Sequence, residues 1–448
     1  MSNLFKIHFI VFLAVSFLYA EDNVGAKDTI REKITRIGQG EVKQADDVST
    51  FNELFINGKV SGQIEIMYSG HEERGVNSTN TDPYSTAVGG QLMFETAHLY
   101  GFGAAAEFTT VHEIGVLSGD NDDEQRASMM VSGEGDYTEL SQAYLEYTMN
   151  DFTLRVGRQL IDTPLADSDD IRIVNNTFQA YTARYETESI TVMAGFLEKW
   201  QGTDTGLVDS TYTPADTDAW QNTGKNGTLF AGVNYESDIL HLGAWYYDIS
   251  ETDLNQNSLG QNIGNRSIYA DVTIHALNGY GMNIDLSTQY LQQNEENNSG
   301  TEADIYGLMI EVNIDDLDFL VAYNRRDADD SQTSFSGFGG GTLYTNLDNM
   351  IIDTISGGDV DAYVGAIAYE ISNLTIGYAY GKFMRDATTT LIKEEIIEHN
   401  IGAEYSMSDN LTFFAIVTIN DDKEDTGTGA INNSGDFTNV RVSASYNF

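Results

Sequence analysis

The feature that most constrains this chain is a two-residue alternation of apolar and polar side chains, which begins near residue 57 and continues to the C-terminus. In the first such segment the apolar positions are Val60, Gly62, Ile64, Ile66 and Tyr68. A period of two is typical of a β-strand with one apolar face and one polar face. Because the pattern recurs in about 18 segments, it predicts an all-β fold.

The connections between these segments indicate which all-β fold they form, because short and long connections alternate. Residues 148–151, 186–189 and 370–373 are short connections, whereas residues 109–138 and 325–358 are long ones. Outer-membrane barrels are connected in this way, with short periplasmic turns and longer extracellular loops. The sequence therefore predicts a transmembrane antiparallel β-barrel of about 18 strands. A secreted sandwich of two sheets is the alternative.

The orientation of one predicted strand is ambiguous. We expect its outward face to consist of Ala362, Val364, Ala366 and Ala368. The parity of Asp361, Tyr363 and Ile367 is ambiguous there, and a slip in residues 325–370 would change the strand count.

Composition narrows the range of partners. The chain has 23 Lys and Arg against 69 Asp and Glu, a formal net charge of −46. Binding to nucleic acid needs a surplus of cations, so no nucleic-acid partner is expected. The chain contains no Cys, which excludes a disulfide framework, a thiolate metal site and a cysteine nucleophile.

The first 20 residues have the pattern of a secretory signal peptide. Lys6 precedes an apolar run over residues 7–17, and acidic residues follow Ala20. We expect cleavage after Ala20. An uncleaved anchor helix is the alternative, although the run is shorter than the roughly 20 residues that span a bilayer.

Residues 21–56 are predicted to form a periplasmic N-terminal extension, and residues 57–448 the barrel. Thr50 and Glu53 have the spacing of a capping box, which predicts a short helix reaching Ile56.

Several stretches resemble the OprD-type porins. They are residues 55–64 (FINGKVSGQI), 87–92 (AVGGQL), 156–165 (VGRQLIDTPL) and 175–178 (NNTF). The last strand ends on Tyr446 and Phe448, which resembles the C-terminal signal that the barrel assembly machinery recognises.

The resemblance implies an 18-stranded barrel, commonly a homotrimer, in the outer membrane of a Gram-negative bacterium. Outer-membrane lipid and lipopolysaccharide would surround it. The third long loop, about residues 160–176, would fold inward and narrow the channel. The acidity of this chain departs from the better-known carboxylate-selective members of the family.

A barrel of this size can hold an aqueous channel, so its inward-facing charged residues are candidate pore residues. The alternation predicts these inward acids: Glu65, Glu107, Glu146, Asp271, Asp285 and Glu311. The candidates for the constriction, on or beside the third long loop, are Arg155, Arg158, Asp162, Asp167, Asp169, Asp170, Arg172, Arg184 and Glu186. Arg158 has the outward parity unless the strand bends or ends there.

We expect the loop carboxylates to face the arginines across the channel and to orient polar solutes. Rings of Asp and Glu favour cations, so a cation preference is expected. In the alternative interpretation, Arg155 and Arg184 only pair with the loop acids and hold the loop in place.

Other candidate sites are fewer. The cluster of Asp120, Asp122, Asp123 and Glu124 could hold Ca²⁺, which prefers oxygen ligands, or could be a hydrated acidic loop; no other cofactor is expected. The glycine-rich residues 337–341 open no helix after a strand, so they do not predict a phosphate-binding loop. The HExxH and GxSxG motifs of hydrolases do not occur, and no enzymatic activity is expected.

Together these patterns predict a porin, a water-filled channel for passive diffusion of ions and small hydrophilic solutes. One alternative is a surface adhesin or antigen that binds a partner through its long loops. A barrel enzyme built from dispersed residues is another.

Overall fold

A computed structural model of the chain describes residues 47–75, 83–117, 136–168, 172–202, 220–251, 263–279, 281–339, 341–425, 431–432 and 435–448. The predicted signal peptide, residues 21–46 of the extension, the acidic cluster from Asp120 to Glu124, and Asp169 and Asp170 lie outside the described residues. Within the described ranges, no helix is both long and apolar enough to cross a membrane.

The predicted all-β barrel is confirmed: the structure is a closed antiparallel barrel of 18 strands. The first nine are β1 (Lys59–Glu73), β2 (Tyr84–Glu95), β3 (Phe102–Ile114), β4 (Asp136–Met149), β5 (Phe152–Gln159), β6 (Thr177–Glu186), β7 (Ile190–Gln201), β8 (Thr228–Ser237) and β9 (Leu240–Ile249). The others are β10 (Asn265–Gly279), β11 (Met282–Glu295), β12 (Ala303–Ile314), β13 (Leu317–Asp327), β14 (Val360–Ile371), β15 (Leu374–Arg385), β16 (Lys393–Ser408), β17 (Leu411–Asp425) and β18 (Phe437–Asn447).

The barrel closes where the first strand pairs with the last. β1 and β18 are antiparallel, with Ile64 opposite Tyr446, and Gly62 and Phe448 exchange backbone N–H···O bonds of 3.0 Å in both directions. Closure removes the unpaired edges that an open sheet would expose. This arrangement rules out the two-sheet sandwich. Tyr446 and Phe448 face outward; their role in assembly stays a prediction.

Small elements accompany the barrel. The two-residue strands are Asp47–Val48, His98–Leu99, Gln221–Asn222 and Ile431–Asn432, and a short 3₁₀-helix spans Ile352–Thr354. The predicted capped helix is confirmed as α1 (Phe51–Ile56): the backbone N–H of Glu53 donates to Thr50 Oγ1, and the Glu53 carboxylate accepts from the Thr50 backbone N–H.

The outward face of the barrel is apolar around its circumference. Val60, Leu145, Leu308 and Val321 are each at least 60% exposed, while many polar side chains at the alternate positions are buried. This inverts the arrangement of a water-soluble domain, which buries its apolar side chains.

The orientation predicted for β14 is wrong. Tyr363 and Ile367 face outward, whereas Ala362, Val364 and Ala368 are buried inside. Val364 and Ala368 pack there in a cluster with Tyr344 from the loop that precedes β14. Because that loop makes the interior apolar at this point, both faces of β14 are apolar and alternation carries no directional signal.

Candidate pore constriction

The third long loop, residues 160–176, enters the barrel and packs against inward-facing residues. Ile161, Leu165 and Ala166 are almost fully buried. The backbone N–H of Leu165 donates to the hydroxyl of Tyr247 on β9 at 3.3 Å. Tyr247 stacks on Phe230, with ring centroids 6.1 Å apart, so an aromatic wall supports this part of the loop.

The returning arm of this loop contacts a different part of the wall. Ile173 and Val174 form a buried cluster with Met67, Ala87 and Val111 of β1 to β3. The two described parts of the loop, residues 160–168 and 172–176, therefore contact two different groups of strands.

A second loop, residues 328–359 between β13 and β14, also folds into the barrel, which the sequence-based interpretation missed. Its apolar residues are buried in the interior: Phe335, Phe338, Leu343, Tyr344, Met350, Ile352 and Ile355. A hydrated surface loop would not carry so many large apolar residues. The density of these large apolar residues is the sequence signal that indicates a buried loop.

The two loops meet. The backbone N–H of Asp167 donates to the Phe338 carbonyl at 2.8 Å, and that of Phe338 to the Leu165 carbonyl at 3.0 Å. Gly339 has a φ of +82°, and a Cβ there would lie 2.2 Å from the Asp167 carbonyl oxygen. The glycine-rich segment thus permits close backbone approach between the loops.

Arg326 of β13 holds the second loop to the wall. Its side chain is fully buried and donates to the carbonyls of Ile355, Gly357 and Gly358 at 2.8 to 3.0 Å, and to that of Ile352 at 3.4 Å. Backbone carbonyls buried in the interior need such donors. One guanidinium, with five N–H donors, therefore provides hydrogen bonds to the last part of the second loop, residues 352–358.

A second attachment fixes the middle of the loop to strands on another part of the wall. Asp348 pairs with Arg441 of β18 and accepts from Thr418 Oγ1 of β17 at 2.5 Å. The neighbouring Asn349 backbone N–H donates to Glu398 Oε1 of β16 at 3.1 Å. The loop therefore lies along the interior from β13 to β18.

Those predicted constriction residues that the structure describes do not form one group. Arg155 on β5 pairs with buried Glu146 on β4, and its guanidinium lies 4.7 Å from the centroid of the Tyr144 ring. His98 Nε2 lies 3.0 Å from the other oxygen of that carboxylate.

Arg184 and Glu186 form an exposed pair at 2.8 Å, beside the short turn after β6. Arg184 stands seven residues from Thr177, where the loop ends, which is about 23 Å along a strand. This pair therefore lies at the opposite end of β6 from the third long loop.

Arg158 lies near the end of β5, where it donates to Glu139 Oε1 at 2.8 Å and to the Leu140 carbonyl. Its guanidinium stacks over Trp220 at 4.4 Å. On the loop, exposed Asp162 accepts from the Ser168 backbone N–H at 3.2 Å. Asp167 and Arg172 are partly buried. The role of these residues in ion selectivity stays a prediction.

The predicted inward acids are placed on the interior wall. Glu65 is 2% exposed, and Glu107 accepts from Ser141 Oγ and Gln142 Nε2 at 2.8 and 3.0 Å. Asp285 and Glu311 are opposite each other in the pairing of β11 with β12.

Two histidines, which the sequence-based interpretation missed, contact two of these acids, Asp271 and Asp285, and a further acid, Glu236, near the short-turn end. His241 lies between Glu236, at 2.7 Å, and Asp271, at 3.0 Å, with one ring nitrogen towards each. His275 contacts Asp285 at 2.8 Å. In the alternation, both histidines fall on the inward face, as do the neighbouring acids. This shared face was the sequence signal that could have predicted their contact.

Comparison with solved structures identifies the class of fold. The chain is similar to OpdQ of Pseudomonas aeruginosa, with a TM-score of 0.67 and 16% identity over 89% of this chain and 99% of that one. OccAB2 of Acinetobacter baumannii is similar with a TM-score of 0.68 and 16% identity, over 88% of this chain and 99% of that one. OpdK of P. aeruginosa, solved with vanillate, has a TM-score of 0.68 and 14% identity, over 88% of this chain and 99% of that one.

These structural neighbours are porins of the OprD/Occ family. The chain therefore has the fold that the sequence resemblance implied. No protein-family model and no curated protein matches its sequence.

We predict that Arg326→Ala releases the second loop, because it leaves four buried carbonyls without their donor. Each unpartnered buried group costs about 1 to 3 kcal/mol. Limited digestion with chymotrypsin measures the release: Phe335, Phe338 and Tyr344, buried in the parent protein, become cleavable. Arg184→Ala, at an exposed pair far from the loop, is the matched control. Equal protection of the loop in both variants would contradict the assignment.

Proposed function

We propose that the protein is an outer-membrane channel for the passive diffusion of ions and small hydrophilic solutes, with a preference for cations. The observation that carries the proposal is a closed barrel with an apolar outer face and a polar inner wall, along which two loops are folded. A band of exposed apolar side chains is stable in lipid and not in water. No chemical step is part of this function.

The barrel's connectivity supports an orientation. The short turns and the N-terminal side of β1 would lie in the periplasm, and the long loops outside the cell. Export by a cleaved signal peptide, a homotrimeric state and contact with lipopolysaccharide belong to the same proposal. The adhesin alternative gains no supporting contact among the described residues.

The cation preference is supported by the hydrogen bonds and ion pairs of the wall arginines, which offset their positive charge. Arg155 and Arg441 each meet a carboxylate, and Arg326 is bonded to backbone carbonyls. Glu107, in contrast, accepts from Ser141 and Gln142, and such neutral donors leave a carboxylate charge uncompensated. With a net charge of −46, the potential along the channel is expected to be negative.

Planar-bilayer recording of the purified protein tests the proposal. We expect stable conductance steps and, under a salt gradient, a reversal potential with the sign of cation selectivity, because acidic residues dominate the channel. A protein that inserts but gives no conductance would contradict the channel. A clear anion preference would contradict only the selectivity.

Arg155→Gln distinguishes the two roles considered for this arginine. If its charge acts on passing ions, its removal exposes the charge of Glu146 and shifts the reversal potential further towards cations. Arg184→Gln is the matched control, because it removes the same charge at an exposed pair. If the Arg155 variant unfolds at lower denaturant concentration but keeps the parental reversal potential, Arg155 is purely structural.

A further inference from the structure

The short helix α1, beside the connection between β2 and β3, carries an apolar face that no part of the described chain covers. Phe51 is 70%, Phe55 51% and Ile56 70% exposed, and no residue of α1 is buried. The two phenyl rings contact each other edge to face, with centroids 5.4 Å apart. Contiguous exposed apolar groups of this kind mark an interaction surface.

The position of α1 is fixed by the barrel. The Leu54 carbonyl accepts from the Ala97 backbone N–H at 2.9 Å, in the connection between β2 and β3. The preceding strand Asp47–Val48 pairs with His98–Leu99 in the same connection. A six-residue helix is too short to be stable alone, so these contacts hold it at the short-turn end of the barrel.

Aromatic residues of the barrel's outer face lie at the same end. A Cβ on Gly58, two residues after α1, would be 2.7 Å from the Phe94 ring, so this ring lies against the chain as it leaves the helix. Phe102 and Tyr147 are in contact on the outer face, with centroids 4.7 Å apart. Aromatic rings at the end of a transmembrane barrel typically lie in the membrane interface.

The exposed face of α1 has the chemistry expected of a surface in the membrane interface. Glu53 is the only charged residue of α1, and its carboxylate turns back to accept from the Ser49 hydroxyl and from the Ser49 and Thr50 backbone N–H groups. These bonds, that of the Ser49 side chain most, lower the pKa of Glu53. Phe51, Phe55 and Ile56 therefore form a face without charge.

We propose that α1 lies in the periplasmic leaflet of the membrane, with Phe51, Phe55 and Ile56 inserted among phospholipid acyl chains. The inference rests on the proposed location of the barrel and adds a second lipid-binding element to it. Two aromatic rings bury roughly 300 to 500 Å², less than the roughly 800 Å² per partner of a stable protein interface. Continuity with the aromatic outer face favours lipid over a second copy of the chain.

Site-directed spin labelling tests this proposal, and the absence of native Cys allows single labels in the full chain. Phe55→Cys carries the nitroxide in vesicles of phosphatidylethanolamine and phosphatidylglycerol. Val321→Cys, at a side chain 65% exposed on the outer face of β13, is the lipid reference. Asp409→Cys, in the exposed turn before β17, is the water reference. Power saturation compares collisions with lipid-soluble O₂ and with a water-soluble nickel chelate.

We expect the O₂-to-nickel collision ratio at position 55 to be severalfold higher than at 409 and closer to that at 321. A ratio equal to that at 409 would show that α1 is in water. Protection from both reagents, with dipolar broadening between labels, would show that a second copy covers the helix. Either result overturns the inference. A water-like signal at 321 would instead contradict the membrane location of the barrel.

Discussion

The interior of this barrel depends on the hydrogen bonds of one buried arginine. Arg326 has no exposed surface and donates to four carbonyls of the loop that follows its own strand. A loop that leaves water must find partners for its backbone groups, and the guanidinium provides several in one place. Without it, burying the apolar residues of this loop would leave those carbonyls unpaired.

The attachment of this loop determines the shape of the space inside. It contacts the third long loop through Phe338 and β18 through Asp348, so the two loops and the wall form one packed unit. The same contacts engage two positively charged side chains: Arg326 donates to carbonyls of the loop, and Arg441 pairs with Asp348 of the loop. Architecture and electrostatics are therefore coupled, because the residues that attach the loop to the interior wall are themselves cations.

The sequence predicted the barrel and most of its strands, because alternation directly reports a wall with one apolar and one polar face. It failed at β14, where the interior is apolar and the two faces look alike. It also missed the second inner loop. The density of large apolar residues indicates that this loop is buried, but its partners are far apart in the chain, such as Asp348 with Arg441, and no local pattern encodes those pairs.

The candidate site shows the same division. Glu146 and Arg155, for which parity predicts the inward face, are neighbours on paired strands. The sequence-based interpretation grouped Arg184 with the third long loop because the two are close in sequence, although Arg184 lies near the other end of its strand. Parity gives the face of a strand on which a residue lies, but depth along the barrel depends on where each strand begins and ends.

Because the second loop is buried inside the barrel, we infer that it narrows the proposed aqueous channel, and a variant without this loop tests the inference. Arg326 and Val360 are paired across β13 and β14, about 5 Å apart, so a short Gly-Ser linker can replace residues 331–356. We expect this variant to give a severalfold larger single-channel conductance while its barrel still resists unfolding in detergent. An unchanged conductance from the folded variant would contradict it.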